Sequence, residues 1–234
     1  MWSLERCRRA VDASDGSAVV IVLMGMLLLS AVGLGTVLLA TADTLASANQ
    51  RDANAALYGA EAGIELAAAE LVGVSDWDAV LSGAAVSAFA DGLPSGPRTL
   101  PDGGTIRLND IASLATCGAT AGCSAAARQT VADDRPWGAN NPNWRPYRYG
   151  CMVAGGSAPD IYLVVLVGDD PAENDGDPER DGLAPGNPGA GVLMLRAEAF
   201  GPGVSRRSVE ATMVRVAVPL GAAAPRFLSW REVR

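Results

Sequence analysis

Between Asp15 and Asp43 the chain carries no charge, and residues 17–42 (SAVVIVLMGMLLLSAVGLGTVLLATA) are apolar enough throughout to leave one structural option. As a helix rising 1.5 Å per residue they extend about 39 Å, more than the roughly 30 Å of a bilayer core. The segment reads as a membrane span. Arg6, Arg8 and Arg9 precede it, whereas the next cation after it is Arg51, so the positive-inside rule keeps the amino terminus cytoplasmic and exports the remainder. A cleaved secretory signal is one rival, because Ala40-Thr41-Ala42 fits the A-x-A pattern, but the apolar run is far longer than the usual 7 to 15 residues. An uncleaved anchor for a generic exported domain is another.

The helical pattern continues past the span. Residues 44–72 contain no Pro, and Ala46, Ala53, Leu57, Ala60, Ile64, Ala67 and Leu71 recur at mostly three- and four-residue spacings. The opposite face carries Arg51, Asp52, Asn54, Glu61, Glu65 and Glu70, which are expected in solvent. Residues 17–72 therefore read as one helix, transmembrane over 17–42 and amphipathic over 43–72. Residues 1–16 form a cytoplasmic leader and 73–234 an exported globular domain.

Composition narrows the chemistry. All 18 cations are Arg, and His and Lys are both absent. No Ser-His-Asp or Cys-His arrangement, imidazole metal ligand, Walker-type lysine or Schiff-base nucleophile can be built. Carboxylate-only catalysis remains chemically open, but an enzyme is not expected. The net charge of −8 argues against a nucleic-acid partner, whose phosphates need a basic surface.

The run Asp15-Gly16-Ser17-Ala18-Val19-Val20-Ile21-Val22-Leu23, then Asn49-Gln50-Arg51-Asp52, then Ala56-Leu57-Tyr58-Gly59-Ala60-Glu61-Ala62-Gly63-Ile64-Glu65, resembles the amino-terminal region of PilX-type minor pilins of type IV pili. It is distantly like GspK-type pseudopilins as well. The likeness covers residues 12–72. The resemblance implies an α+β pilin fold, with the long helix packed on an antiparallel sheet. It also implies cleavage after Gly16 by a prepilin peptidase and methylation of Ser17. The implied partners are the inner membrane, other minor pilins, the major pilin and a tip adhesin. Ser17 stands where most pilins have an aromatic residue, and Ile21 where the family's usual Glu stands, a trait of minor components. Gly25, Gly33 and Gly35 lie in the filament-core helix and weaken it locally. The rival functions are a type II secretion minor pseudopilin and a membrane-anchored binding module.

In the domain, residues 161–167 (IYLVVLV) read as a strand buried on both faces, and 192–200 and 207–218 as a hairpin joined through Gly201-Pro202-Gly203. Residues 148–153 make a fourth strand. The phrase Leu195-Arg196-Ala197-Glu198-Ala199-Phe200-Gly201 with Arg207-Ser208-Val209-Glu210-Ala211-Thr212 resembles the closing hairpin of PilX-like proteins. Ser75-Asp76-Trp77-Asp78 has capping-box spacing before a short helix, and Ser124 caps another over 124–132. Residues 94–104 are a turn-rich connection, and Trp137 and Trp144 staple a Pro- and Asn-rich loop to the domain.

Cys7 lies in the leader. Cys117, Cys123 and Cys151 permit three single pairings, of which Cys117 with Cys123 closes the smallest loop. Outside the cytoplasm a disulfide is expected. Between Asp169 and Asp181 the chain places seven acids against Arg180. Oxygen ligands this dense suit Ca2+, with Asp169, Asp170, Asp175, Asp177, Glu179 and Asp181 as candidate ligands. Asp177-x-Glu179-x-Asp181-Gly182 matches half an EF-hand loop, but its twelfth position is Pro188, and a solvated acidic loop is the alternative.

Overall fold

The computed structural model describes residues 3–120, 122–134, 140–152, 161–182, 186–217 and 223–233. The first helix, α1, runs Ser3–Val72. Helix therefore continues back through residues 3–16, and no break marks the boundary between Gly16 and Ser17. Two compact units divide the chain, Met1–Gln50 and Arg51–Arg234, and the second takes in residues 51–72 of α1.

In the first unit the apolar side chains face outward all round. Leu27, Leu29 and Leu38 are 72, 74 and 70% exposed. By length and composition the helix over Ser17–Val72 is able to cross a membrane. Thr36, Thr41 and Thr44 turn their hydroxyls back onto carbonyls three or four residues earlier, so their polar groups are satisfied within the helix.

In the second unit, after α1, come α2 (Asp78–Leu81), β1 (Pro97–Thr99), β2 (Thr105–Arg107), α3 (Leu108–Cys117), α4 (Ala125–Asp134), β3 (Arg145–Met152), β4 (Ile161–Asp169), β5 (Val192–Phe200), β6 (Arg206–Ala217) and β7 (Ala223–Val233). Strands β3 to β7 form one antiparallel sheet in sequence order, and β1 with β2 a small separate hairpin. The α+β class and the helix-on-sheet arrangement are as expected.

β4 explains the layering. Its odd residues Ile161, Leu163, Val165 and Val167 join the core beneath α1, together with Ala56, Ala60, Ile64, Ala67, Ala68 and Leu71. Its even residues Tyr162, Val164 and Leu166 join a second core with Leu108, Ile111 and Ala115 of α3 and with Trp144. A strand between two helix layers has no solvent face, which is why its sequence is apolar without alternation. Strand β3 bulges at Tyr147, between the pairs Pro146↔Leu166 and Arg148↔Val165. Its outer edge is occupied by the preceding segment, where Ser87 N donates to Tyr147 O at 2.9 Å and Asp91 N to Tyr149 O at 3.1 Å.

Several expectations shift. The short helix starts at Asp78, and Ser75 does not cap it; Asp76 Oδ1 accepts from Ala79 N instead. Ser124 does accept from Ala127 N at the start of α4. The connection at 94–104 is largely the β1–β2 hairpin, closed by Leu100 N to Gly104 O at 2.8 Å. Glu70, expected in solvent, accepts from Ser87 Oγ at 2.6 Å and Arg148 Nη1 at 3.1 Å, fastening α1 to β3. Trp144 is 4% exposed and so is a core residue, with no open face for a ligand. Trp137 lies outside the described residues.

The carboxyl end of α1 is held by side chains rather than by a glycine cap. Trp77 Nε1 donates to Leu71 O at 3.0 Å, and Arg215 Nη2 donates to Val74 O with its guanidinium 4.4 Å from the Trp77 ring. A cation here also meets the negative end of the helix dipole.

Candidate functional site

Helix α1 reaches the sheet through two glycines. A Cβ placed on Gly63 would lie 2.5 Å from Leu163 Cδ1, and one on Gly59 would lie 3.0 Å from Ile161 Cδ1. The sheet answers with small side chains, since Ala197, Ala199 and Ala211 are at most 1% exposed beneath the helix. The run Gly59-Ala60-Glu61-Ala62-Gly63 thus has a packing reason: it lets the backbone of α1 sit close on β4 and β5. Gly25, Gly33 and Gly35 are different, because a Cβ on any of them meets nothing within 4 Å. No contact among the described residues accounts for them. Ile21 is 69% exposed.

On the other face of β5 to β7 the same two sequence phrases build a charge ladder. Glu198 accepts from Arg196 Nε at 3.3 Å and from Arg206 Nε at 3.1 Å. Glu210 accepts from Arg196 Nη1 at 2.9 Å and from Arg231 Nε at 3.0 Å. Glu198 and Glu210 are buried, at 1 and 6% exposed. Each carboxylate oxygen therefore has an arginine. Alternation explains the phrase Arg196-Ala197-Glu198-Ala199: charges point to the ladder and alanines to the helix.

Near the far end of β4, Asp91 collects Arg98 Nε at 2.7 Å and the Tyr162 hydroxyl at 2.8 Å. Burial first, then the hydrogen bond to Asp91, push the Tyr162 hydroxyl well above its ordinary range, so it stays a donor. The group anchors the segment that covers β3.

The structure joins Cys117 to Cys123 and leaves Cys151 free and exposed. Burial, then Asp91, raise the Cys151 thiol above its usual value, so it is protonated at neutral pH. The disulfide closes the turn after α3, where Gly118 takes φ 70° as the helix's left-handed cap. Replacing Cys117 with Ser should lower the unfolding free energy by about 2 kcal/mol, the chain-entropy value for so short a loop. Cys151→Ser should stay within about 0.5 kcal/mol. Urea unfolding of the two variants beside the unaltered chain checks both, and equal effects would contradict the pairing.

The acidic loop between β4 and β5 does not bring its candidate ligands together. Among the described residues no three Asp, Glu, Cys or His side chains form a group able to hold a metal ion. The expected set is dispersed because most members have local work. Asp170 Oδ1 accepts from Ala172 N, Asp175 Oδ1 from Asp177 N, and Asp177 Oδ1 from Glu179 N. Glu179 Oε1 takes Asn143 Nδ2 and Arg145 Nη2, and Asp181 Oδ1 takes Gly191 N. Asp169 is 1% exposed; burial, with Glu173 close by, pushes its carboxyl up to about 9. Glu173, absent from the sequence-derived set, is the residue the loop wraps: Gly182 N and Asn187 Nδ2 both donate to its Oε2. Burial raises Glu173 and Asp181 as well. Nothing in the spacing of the acids distinguished Glu173; the turn from Asp170 to Glu173, with Glu173 N on Asp170 O, is what carries it inward.

No curated protein and no solved structure matches the chain. A family model does, described as PilX N-terminal, over residues 15–65, under a quarter of the length. Those residues hold both the apolar span and the glycines that seat α1 on the sheet. Residues 15–65 are thus PilX N-terminal in type, and the helix that carries them is long and apolar enough to anchor the chain in a membrane.

Proposed function

We propose that this chain is a minor pilin that primes or caps a type IV pilus at its tip, inserted in the inner membrane with its amino terminus cytoplasmic. The observation that carries the reading is Ile21 inside an uncharged span that matches the PilX amino terminus. A carboxylate in mid-bilayer costs about 2.5 to 3.5 kcal/mol on insertion scales, so pilins that carry one there use it to meet the amino terminus of a neighbouring subunit. This chain avoids that cost and forfeits that contact. A subunit with nothing above it needs no such contact, which favours the tip over the shaft. The role is structural, with the exposed apolar span as the part that meets other subunits.

Immunogold labelling should mark filament ends, and deletion should reduce pilus number more than pilus length. Uniform labelling of the shaft would contradict the tip role. Recovery with a secretion machine and never with sheared filaments would favour the type II pseudopilin, since GspK-type members share the missing Glu.

Processing follows from the same reading. Cleavage after Gly16 removes the leader and leaves the span whole. Intact-mass measurement of the membrane form should find a chain beginning at methylated Ser17. A mature chain beginning at Asp43 would refute processing as a pilin.

A further inference from the structure

Around the acidic loop Asp169 Oδ1, Glu173 Oε1 and Asn140 Oδ1 are buried and receive no hydrogen bond from the described residues. Their residues are 1, 4 and 9% exposed. Buried acceptors nearly always have a donor, and those that do not call for an explanation. Here the three lie in one neighbourhood. The turn from Asp170 to Glu173 returns Glu173 beside Asp169, and Asn140 Nδ2 donates to the Glu173 carbonyl. Asn140 is the independent sign, because it is neutral, comes from a different segment, and has its amide nitrogen fixed while its oxygen lacks a donor.

The contrast with the rest of the loop is what gives the pattern meaning. Asp170, Asp175, Asp177, Glu179 and Asp181 each accept from a backbone or side-chain donor, and so does Glu173 Oε2. Asp169, Glu173 and Asn140 are the most buried of these side chains. Gly182 and Gly189 permit this wrapping: a Cβ on Gly182 would fall 2.4 Å from Asp175 Oδ2 and 2.7 Å from Glu173 Oε2, and one on Gly189 would fall 2.4 Å from Glu173 Cγ. The chain is shaped to hold Glu173 inside.

We propose that Asp169, Glu173 and Asn140 bind one divalent cation of the calcium class through these three oxygens. Once Asp169 has released its proton to solvent, two carboxylates balance the charge of the ion, and the amide oxygen adds a neutral ligand. All three are hard oxygen donors with neither nitrogen nor sulfur among them, which disfavours zinc and copper. An irregular loop suits calcium, which accepts variable geometry and completes its shell with carbonyls and water, better than magnesium, which demands a near-ideal octahedron. A site with two carboxylates belongs with weak extracellular calcium modules, at about 10⁻⁴ to 10⁻³ M. This set differs from the EF-hand-like stretch, whose Asp177 and Glu179 are engaged elsewhere. It is also compatible with the absence of any three-acid cluster among the described residues.

The test uses the full chain in detergent, stripped with chelator and titrated with CaCl2. Melting followed by near-ultraviolet circular dichroism should rise by about 5 °C at 10 mM Ca2+. Terbium luminescence should report binding directly and be competed by Ca2+. Asp169→Asn and Glu173→Gln should each weaken binding more than about tenfold, because each removes one ligand charge. Asn140→Ala supplies a third variant should either fail to fold. Asp177→Asn should retain the full shift. The proposal is overturned by no shift in the unaltered chain at 10 mM Ca2+, by an equal shift with NaCl at matched ionic strength, or by binding lost in Asp177→Asn and kept in the other variants.

Discussion

Replacing Gly63 with Val should cost the Arg51–Arg234 unit about 3 kcal/mol or more, enough to remove much of the stability of an ordinary domain. The first added carbon would already stand 2.5 and 2.8 Å from the two methyls of Leu163. Leu163 is fully buried, in a strand flanked by β3 and β5, so it has little room to retreat. The branched γ carbons of Val go further into the same contact. Gly63→Ala is the graded companion: it gains about 1 kcal/mol of helix propensity and meets the same methyls with one atom, so it should be the milder change. Gly59→Ala should be milder still, at 3.0 Å from Ile161. Gly25→Ala, with open space around it, should leave the unit unchanged. Chemical unfolding of the four variants gives the ranking, and a Gly63→Val protein as stable as the parent would refute the close seat of α1 on β4.

The second large effect is expected at Glu198. Truncation to Ala removes the one carboxylate shared by Arg196 and Arg206 in a place that is 1% exposed. Breaking a buried ion pair from one side costs about 3 to 5 kcal/mol, because the remaining charge is left without a partner. The lower end applies, since Arg206 is 43% exposed and can turn to water while Arg196 keeps Glu210. Arg231→Ala is the control. Its side chain is 69% exposed, so its loss should cost no more than about 1 kcal/mol and should fade with added salt. A Glu198→Ala protein that unfolds like the Arg231→Ala protein would show that the ladder is ornamental.

These two sites also show what the sequence could reveal. Strands β4, β5 and β6 were legible because each carries its own signal: a continuous apolar, β-branched run in β4, and two long strand-like runs joined through the Gly201-Pro202-Gly203 turn in β5 and β6. β7 has no such signal. Pro225 interrupts it, and Leu228 stands unpaired between Thr212↔Ser229 and Met213↔Phe227, which breaks the alternation halfway. α3 escaped notice because its buried face is only Leu108, Ile111, Ala115 and the polar Thr116 in ten residues, too little for an apolar periodic pattern to declare itself. The importance of Gly63 was visible as a motif, but its cause was not, since Leu163 lies a hundred positions away. Glu70 and Glu173 were misread for a related reason. A carboxylate on a polar helix face or in an acidic run looks solvated until the fold supplies Ser87 and Arg148 to one and a closed loop to the other.

β4 is apolar on both faces, and that leaves its own pattern unable to say which way round it should lie. A slip of one residue against β5 would exchange Leu163 and Val165 for Val164 and Leu166, trading one greasy surface for another. The neighbours do not allow the same indifference. A matching shift of β5 and β6 would turn Arg196, Glu198 and Glu210 under α1, onto an apolar helix face of Ala56, Ala60, Ile64, Ala67 and Leu71 that offers no charged partner to receive them. The ladder on the far face is therefore an alignment key. The strands that hold charge dictate the phase of the strand that holds none, and through it the side of the sheet on which residues 51–72 of α1 must come to rest.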